Sequence, residues 1–123
     1  MAQGVASWFC CGPHSWGPCG HAGGGACGTC DNPKFQAAWQ KLNGFPTSYC
    51  GQQVAASCGS LISVTSLCYA TGVVPSIADH GPGACTGQST CKPLSHRIVD
   101  LTPAAFAQLA PLGVGLLTVV VYF

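Results

Sequence analysis

Arg97-Ile98-Val99-Asp100-Leu101-Thr102-Pro103-Ala104-Ala105-Phe106 is the stretch on which the reading of the fold turns. Thr102 suits a helix cap and Pro103 the first helical position. Ala104 to Ala110 continue the helix until Pro111 stops it. Asp100, just ahead, is either an acceptor for backbone amides at that helix start or a carboxylate with a function of its own. Downstream, the apolar tail from Leu112 to Phe123 is shorter than the ~20 residues a membrane helix needs. Its Thr118-Val119-Val120-Val121-Tyr122 run reads as a buried strand.

Upstream, Val73-Val74-Pro75-Ser76-Ile77-Ala78 and Leu61-Ile62-Ser63-Val64-Thr65-Ser66 read as strands, with Pro75 demanding an edge or irregular pairing. Gly4-Val5-Ala6-Ser7-Trp8-Phe9 reads as the first strand. Between them a helix is expected: Asn32 as cap, Pro33 at the first position, an apolar stripe of Phe35, Ala38, Trp39 and Leu42, and Gly44 as stop. That stripe predicts a buried Trp39. Residues 10–30 carry five cysteines among glycines and prolines, and read as a long loop held by bridges. Many short strands and two short helices imply a small, mainly β barrel, one domain over residues 1–123.

The ten cysteines, Cys10, Cys11, Cys19, Cys27, Cys30, Cys50, Cys58, Cys68, Cys85 and Cys91, are even in number and dense for 123 residues. All ten are expected in disulfides, with the pairing open, in a secreted, extracellular protein. Zinc is the competing reading, since Cys27-Gly28-Thr29-Cys30 lies near His14 and His21. One C-x-x-C without a second is a weak metal signal, and the βαβ setting of a redox motif is missing. No metal and no cofactor are expected. Only 6 % of residues are charged: Lys34, Lys41, Lys92 and Arg97 against Asp31, Asp79 and Asp100, with no glutamate. A net charge of +1 gives no hold on nucleic acid. With 48 % hydrophobic residues it also opposes self-association weakly, so the chain itself is a candidate partner.

Four segments resemble the double-psi β-barrel shared by expansins, barwin-like proteins and the rare lipoprotein A family. Gly4 to Phe9 is similar to the opening strand, Gly24-Gly25-Ala26-Cys27-Gly28 to a glycine-rich turn, and Ser57 to Thr65 to the central strand. Ile77-Ala78-Asp79-His80-Gly81-Pro82 and Arg97 to Phe106 resemble the paired signature of an Asp-x-x-Pro strand end and an Asp-Leu-Thr helix cap. The resemblance implies a six-stranded barrel with two short helices, and places Asp79 and Asp100 on one groove.

Glycoside cleavage needs two carboxyl groups, one protonated and one ionised. Asp79 and Asp100 are the only plausible catalytic pair; Asp31 reads as a helix-start residue. The resemblance also exposes departures. Phe9 stands between Trp8 and Cys10-Cys11, where family 45 endoglucanases carry an aspartate base, and an apolar ring cannot activate water. Gly81 replaces an aromatic residue of bacterial expansins. Gln52 to Ala56 holds no counterpart to the histidine of rare lipoprotein A. Sugar binding needs less, namely aromatic faces and hydrogen-bonding groups. Trp8, Trp16, Tyr49 and His80 are the candidates. The expected function is therefore binding or loosening of cell-wall polysaccharide or peptidoglycan without hydrolysis. The alternatives are a self-assembling extracellular structural protein, a lytic transglycosylase or endoglucanase-like enzyme using Asp79 and Asp100, and a barwin-like protease inhibitor.

Overall fold

The computed structural model describes residues 2–39, 58–79 and 97–123. Tyr49, His80, Cys50, Cys85 and Cys91 lie outside the described residues, as do Gly81, residues 52–56 and the end of the expected first helix.

Seven strands are present among the described residues: β1 (Ala2–Trp8), β2 (Gln36–Ala38), β3 (Ser63–Ser66), β4 (Gly72–Val73), β5 (Ser76–Asp79), β6 (Arg97–Leu101) and β7 (Leu117–Tyr122). They form one sheet in the order β4-β3-β7-β1-β6-β2-β5. Two pairings are parallel, β1 with β6 and β2 with β5; the others are antiparallel. The ends of the sheet meet. Leu61, just before β3, bridges Ser76 on β5. Ile62 N–H donates to the Pro75 carbonyl at 3.1 Å, and Ile77 N–H to the Ser60 carbonyl at 2.8 Å. Closure satisfies backbone groups that an open edge would expose.

The count of seven against the expected six has a local cause. The expected Val73–Ala78 strand is broken at Val74-Pro75, because proline has no N–H to give a ladder. Its halves, β4 and β5, pair with different neighbours, and together they fill one place in a six-membered circuit.

The interior follows the alternation of the strands. Val64, Ile77, Val99, Leu101, Val119 and Val121 are buried in one cluster, and α1 (Pro103–Ala107) adds Ala105 and Phe106 to it. Beyond Ala107 the helix tightens rather than continuing to Ala110. Gln108 and Leu109 donate to carbonyls three residues back, at 3.1 and 2.8 Å. Thr102 stands at the helix start without a side-chain cap bond. Its hydroxyl turns to β2 instead, donating to the Lys34 carbonyl at 2.6 Å and accepting the Gln36 N–H at 3.1 Å.

The first expected helix is corrected. Gln36-Ala37-Ala38 is a strand inserted between β5 and β6, and Phe35, assigned to the buried stripe, is 46 % exposed. Pairing on both sides outweighs a helical pattern of a few residues. Trp39 is buried as expected, but at a strand end, where its ring packs 5.6 Å from that of Phe123. Asn32 caps no helix. It is buried and its side chain staples the cysteine-rich loop, donating to the His14 and Gly20 carbonyls and accepting the Cys11 N–H.

Three disulfides cross-link this loop: Cys10–Cys19, Cys11–Cys30 and Cys27–Cys58. Every cysteine is expected to be paired; among the described residues Cys68 is an exposed thiol outside these bridges. It lies in the turn between β3 and β4, where the Ser66 hydroxyl holds the Cys68 and Tyr69 amides at 3.1 Å.

Candidate functional site

Strand β2 is three residues long, yet it sets the site. Ala38 pairs with Asp79 of β5 on one side and with Asp100 of β6 on the other. Asp100 in turn pairs with Ser7 of β1. Residues directly across a sheet share a face, so Ser7, Asp100, Ala38 and Asp79 form one row. The neighbouring row of Trp8, Leu101 and Ala37 points the other way, with Leu101 and Ala37 in the core. With strands about 4.8 Å apart, the two aspartate α-carbons stand roughly 9–10 Å from each other.

Two bulges create this row. Between Val5/Ala6 and between Ala37/Ala38 the register slips by one residue. Without them Asp100 would stand beside Trp8, and Ala78 rather than Asp79 beside Ala38. Bulges commonly re-aim side chains at functional sites.

Each aspartate is braced differently. Ser7 Oγ donates to Asp100 Oδ1 at 2.8 Å. Burial raises the Asp100 carboxyl above its ordinary 3.8 and the charge of Asp79 adds to this; the Ser7 hydroxyl and the Arg97 charge act in the opposite sense without cancelling it. Asp79 Oδ1 accepts the Ala26 N–H at 3.0 Å. That amide belongs to the glycine-rich turn, which is tied to β5 by Cys27 N–H on the Ala78 carbonyl and to the segment before β3 by the Cys27–Cys58 bridge. Gly25 has φ +72°, and a Cβ there would lie 2.8 Å from the Ala78 carbonyl oxygen and 3.2 Å from Asp79 Cγ. Only glycine fits so close to the carboxylate.

The two tryptophans expected as sugar platforms are not gathered on the row. Trp8 points away from Ser7, and its indole N–H donates to the Leu112 carbonyl at 3.0 Å. Trp16 is half-buried in a hairpin closed by paired bonds with Cys19, both 3.0 Å. A Cβ on its neighbour Gly17 would lie 3.7 Å from Leu112 Cδ1. Both tryptophan segments thus converge on Leu112, where a 3₁₀ turn (Leu112–Val114) begins. Phe9 packs on Ala78 and the Cys11–Cys30 bridge, so an apolar ring lies one residue from Asp79.

Ser7 and the brace from Ala26 escaped the sequence reading, although the period of two in β1 marks Ser7 as facing away from Ala6 and Trp8. Asp31 is also reassigned: it starts no helix. It is buried, with its Oδ2 2.5 Å from His14 Nδ1 and its Oδ1 accepting the His14 N–H. Burial works to raise the Asp31 carboxyl, but the bonds from the His14 ring and amide, the His14 charge and the Asn32 amide outweigh it and hold the group below 3.8. Among the described residues no group of three or more His, Cys, Asp or Glu side chains is arranged to hold a metal ion.

No family model and no curated protein matches the sequence. Solved structures do. A Streptomyces papain inhibitor is 21 % identical at a TM-score of 0.51, with 100 % of this chain and 94 % of that one covered. An expansin of Clavibacter michiganensis is 22 % identical at a TM-score of 0.59, with 99 % of this chain and 48 % of that one covered. A mutant of that expansin, solved in complex with cellohexaose, is 20 % identical at the same TM-score of 0.59. The chain spans about half the length of the expansin. What it shares with these proteins at such identities is their fold, a small disulfide-bearing barrel of the expansin type.

Proposed function

We propose that this protein binds cell-wall polysaccharide along the row Ser7, Asp100, Ala38 and Asp79, without hydrolysing it. The observation that carries the reading is the placement of Asp79 and Asp100, both half-buried, on either side of the buried Ala38, on the face opposite Ala37 and Leu101. The small alanine leaves room between two hydrogen-bonding side chains, a geometry suited to a flat polymer with hydroxyl groups on both edges. The likeness to an expansin solved with cellohexaose supports a neutral glucan as ligand. Hydrolysis is disfavoured by Phe9. It packs against the cluster of Ala78 and the Cys11–Cys30 bridge, so an apolar ring stands where the resemblance to family 45 endoglucanases calls for an aspartate base. The disulfides fit an extracellular setting. Among the described residues no helix is long and apolar enough to cross a membrane.

The test is retention on insoluble cellulose and on isolated wall material. Wild-type protein is expected to be retained and to release no reducing sugar, whereas Asp79→Asn and Asp100→Asn are expected to elute early. Equal retention of all three, or release of sugar by the wild type alone, would overturn the reading.

A second reading, inhibition of a cysteine protease, is favoured by one observation: the likeness to the papain inhibitor runs the length of both chains. The segment Pro13 to Pro18, exposed except at the half-buried Trp16, closed by Cys10–Cys19 and pinned through the His14 carbonyl by Asn32, is a pre-organised loop of the kind a protease cleft accepts. Papain titrated with the intact protein separates the two readings.

A further inference from the structure

The turn that braces Asp79 through Gly25 and Ala26 also lines a second concavity through Gly24 and Gly28. This depression in the cysteine-rich loop has a volume of about 540 Å³, within the ~300–1,000 Å³ of small-molecule sites. Its lining includes His14, His21, Lys34 and Asp31. The first three are exposed and basic. Asp31 is the only acid, and it does not present its charge: its side chain is 8 % exposed and both oxygens are engaged by His14.

His14 is held at three points, its N–H and Nδ1 on Asp31 and its carbonyl on the Asn32 amide, while its side chain remains 72 % exposed. A buried carboxylate on Nδ1 fixes the ring and leaves Nε2 to meet a ligand. Asp31 is itself fixed, its N–H donating to Gln36 Oε1 at 2.8 Å, and Gln36 Nε2 reaches the Thr29 carbonyl. The chain has only four Lys and Arg residues and four His in all. Three of these eight basic groups line one depression, which the mere solvation of a surface does not require.

We propose that this depression is a subsite for the carboxylate of an acidic, uronate-bearing polysaccharide, held by His14, His21 and Lys34. The sugar nature of the ligand rests on the polysaccharide reading above; its charge rests on these three side chains alone. The attraction between a uronate carboxylate and these basic side chains is screened by salt, and Asp31, buried and bonded to His14, adds no exposed repulsion.

The experiment is calorimetric titration of the intact, disulfide-bonded protein with trigalacturonate and, separately, with cellotriose, at low and at raised salt. Trigalacturonate is expected to bind and to weaken with added salt. Lys34→Gln and His14→Gln should each weaken it about two- to five-fold, the size of an exposed ion pair. Cellotriose should respond to none of these changes. Lys34 is exposed, so its variant keeps the test open should His14→Gln disturb the loop. Trigalacturonate binding indifferent to Lys34→Gln and to salt would overturn the proposal, as would inorganic phosphate binding as tightly as the sugar acid. Loss of cellotriose binding with a His14-dependent trigalacturonate site retained would overturn the groove reading and leave this one standing.

Discussion

Replacing Asp100 by asparagine should make the protein more stable while removing its affinity for glycan. The carboxyl is partly buried, and its acidity is weakened by that burial and by the charge of Asp79. A folded-state pKa above the unfolded one means that the ionised form costs stability. The cost is absent below about pH 3.8, where the group is protonated in both states, and appears as pH rises through the folded-state pKa. Asparagine has no charge to bury, and its oxygen can still accept the Ser7 hydroxyl. Single stabilising substitutions commonly return about 0.5–2 kcal/mol, and relief of this charge is expected to fall in that range. For 123 residues, an unfolding entropy of about 2.1 cal/mol/K per residue makes about 1 kcal/mol worth about 4 °C. Asp100→Asn should therefore melt about 2–8 °C higher than wild type at pH 7, with the difference closing toward pH 3.5, as read by calorimetry. If Asp100 served instead to order the start of α1, removing its charge near a helix N-terminus would lower the midpoint. A lower midpoint at pH 7 would refute the argument.

Other consequences are open to simpler assays. Phe106→Ala empties the centre of the barrel and should cost about 3–5 kcal/mol in chemical denaturation; a loss under about 1 kcal/mol would show that α1 does not supply the core. Gly25→Ala should weaken glycan retention and reduce stability, because its Cβ meets the Ala78 carbonyl oxygen at 2.8 Å in a left-handed conformation; a fully active variant would mean the turn does not brace Asp79. Alkylation of the native, unreduced protein followed by peptide mapping should label Cys68 and leave Cys10, Cys11, Cys19, Cys27, Cys30 and Cys58 unlabelled. Label on any of those six would contradict the bridges.

The strands that carry β-branched runs were legible before any coordinates. The valines of β7 and the alternation of β1 and β3 specify a half-buried ladder by themselves, and Pro75 announced the break between β4 and β5. β2 was hidden because Pro33, Phe35, Ala38 and Trp39 satisfy a helical period, while its identity as a strand comes from neighbours distant in sequence. The two aspartates could be matched by resemblance, but not their shared row, since that depends on two register slips that no local pattern encodes. The pairing of His14 with Asp31 is hidden for the same reason: 17 residues separate them, and the Cys11–Cys30 bridge, the buried Asn32 and the backbone bond from Asn32 to Cys11 bring them together. Trp8 and Trp16 are the converse case. Their residue type suits a sugar platform, but their positions lead to Leu112.

The central claim, that the sheet face carrying Asp79 and Asp100 is a glycan site, is tested most directly by mapping cellohexaose onto the protein by amide chemical shifts. The account predicts saturable shifts centred on Ser7, Ala38, Asp79 and Asp100 and on the Gly25-Ala26 turn, all abolished in Asp79→Asn. Shifts confined to residues 13–18, or no shifts at millimolar sugar, would contradict it.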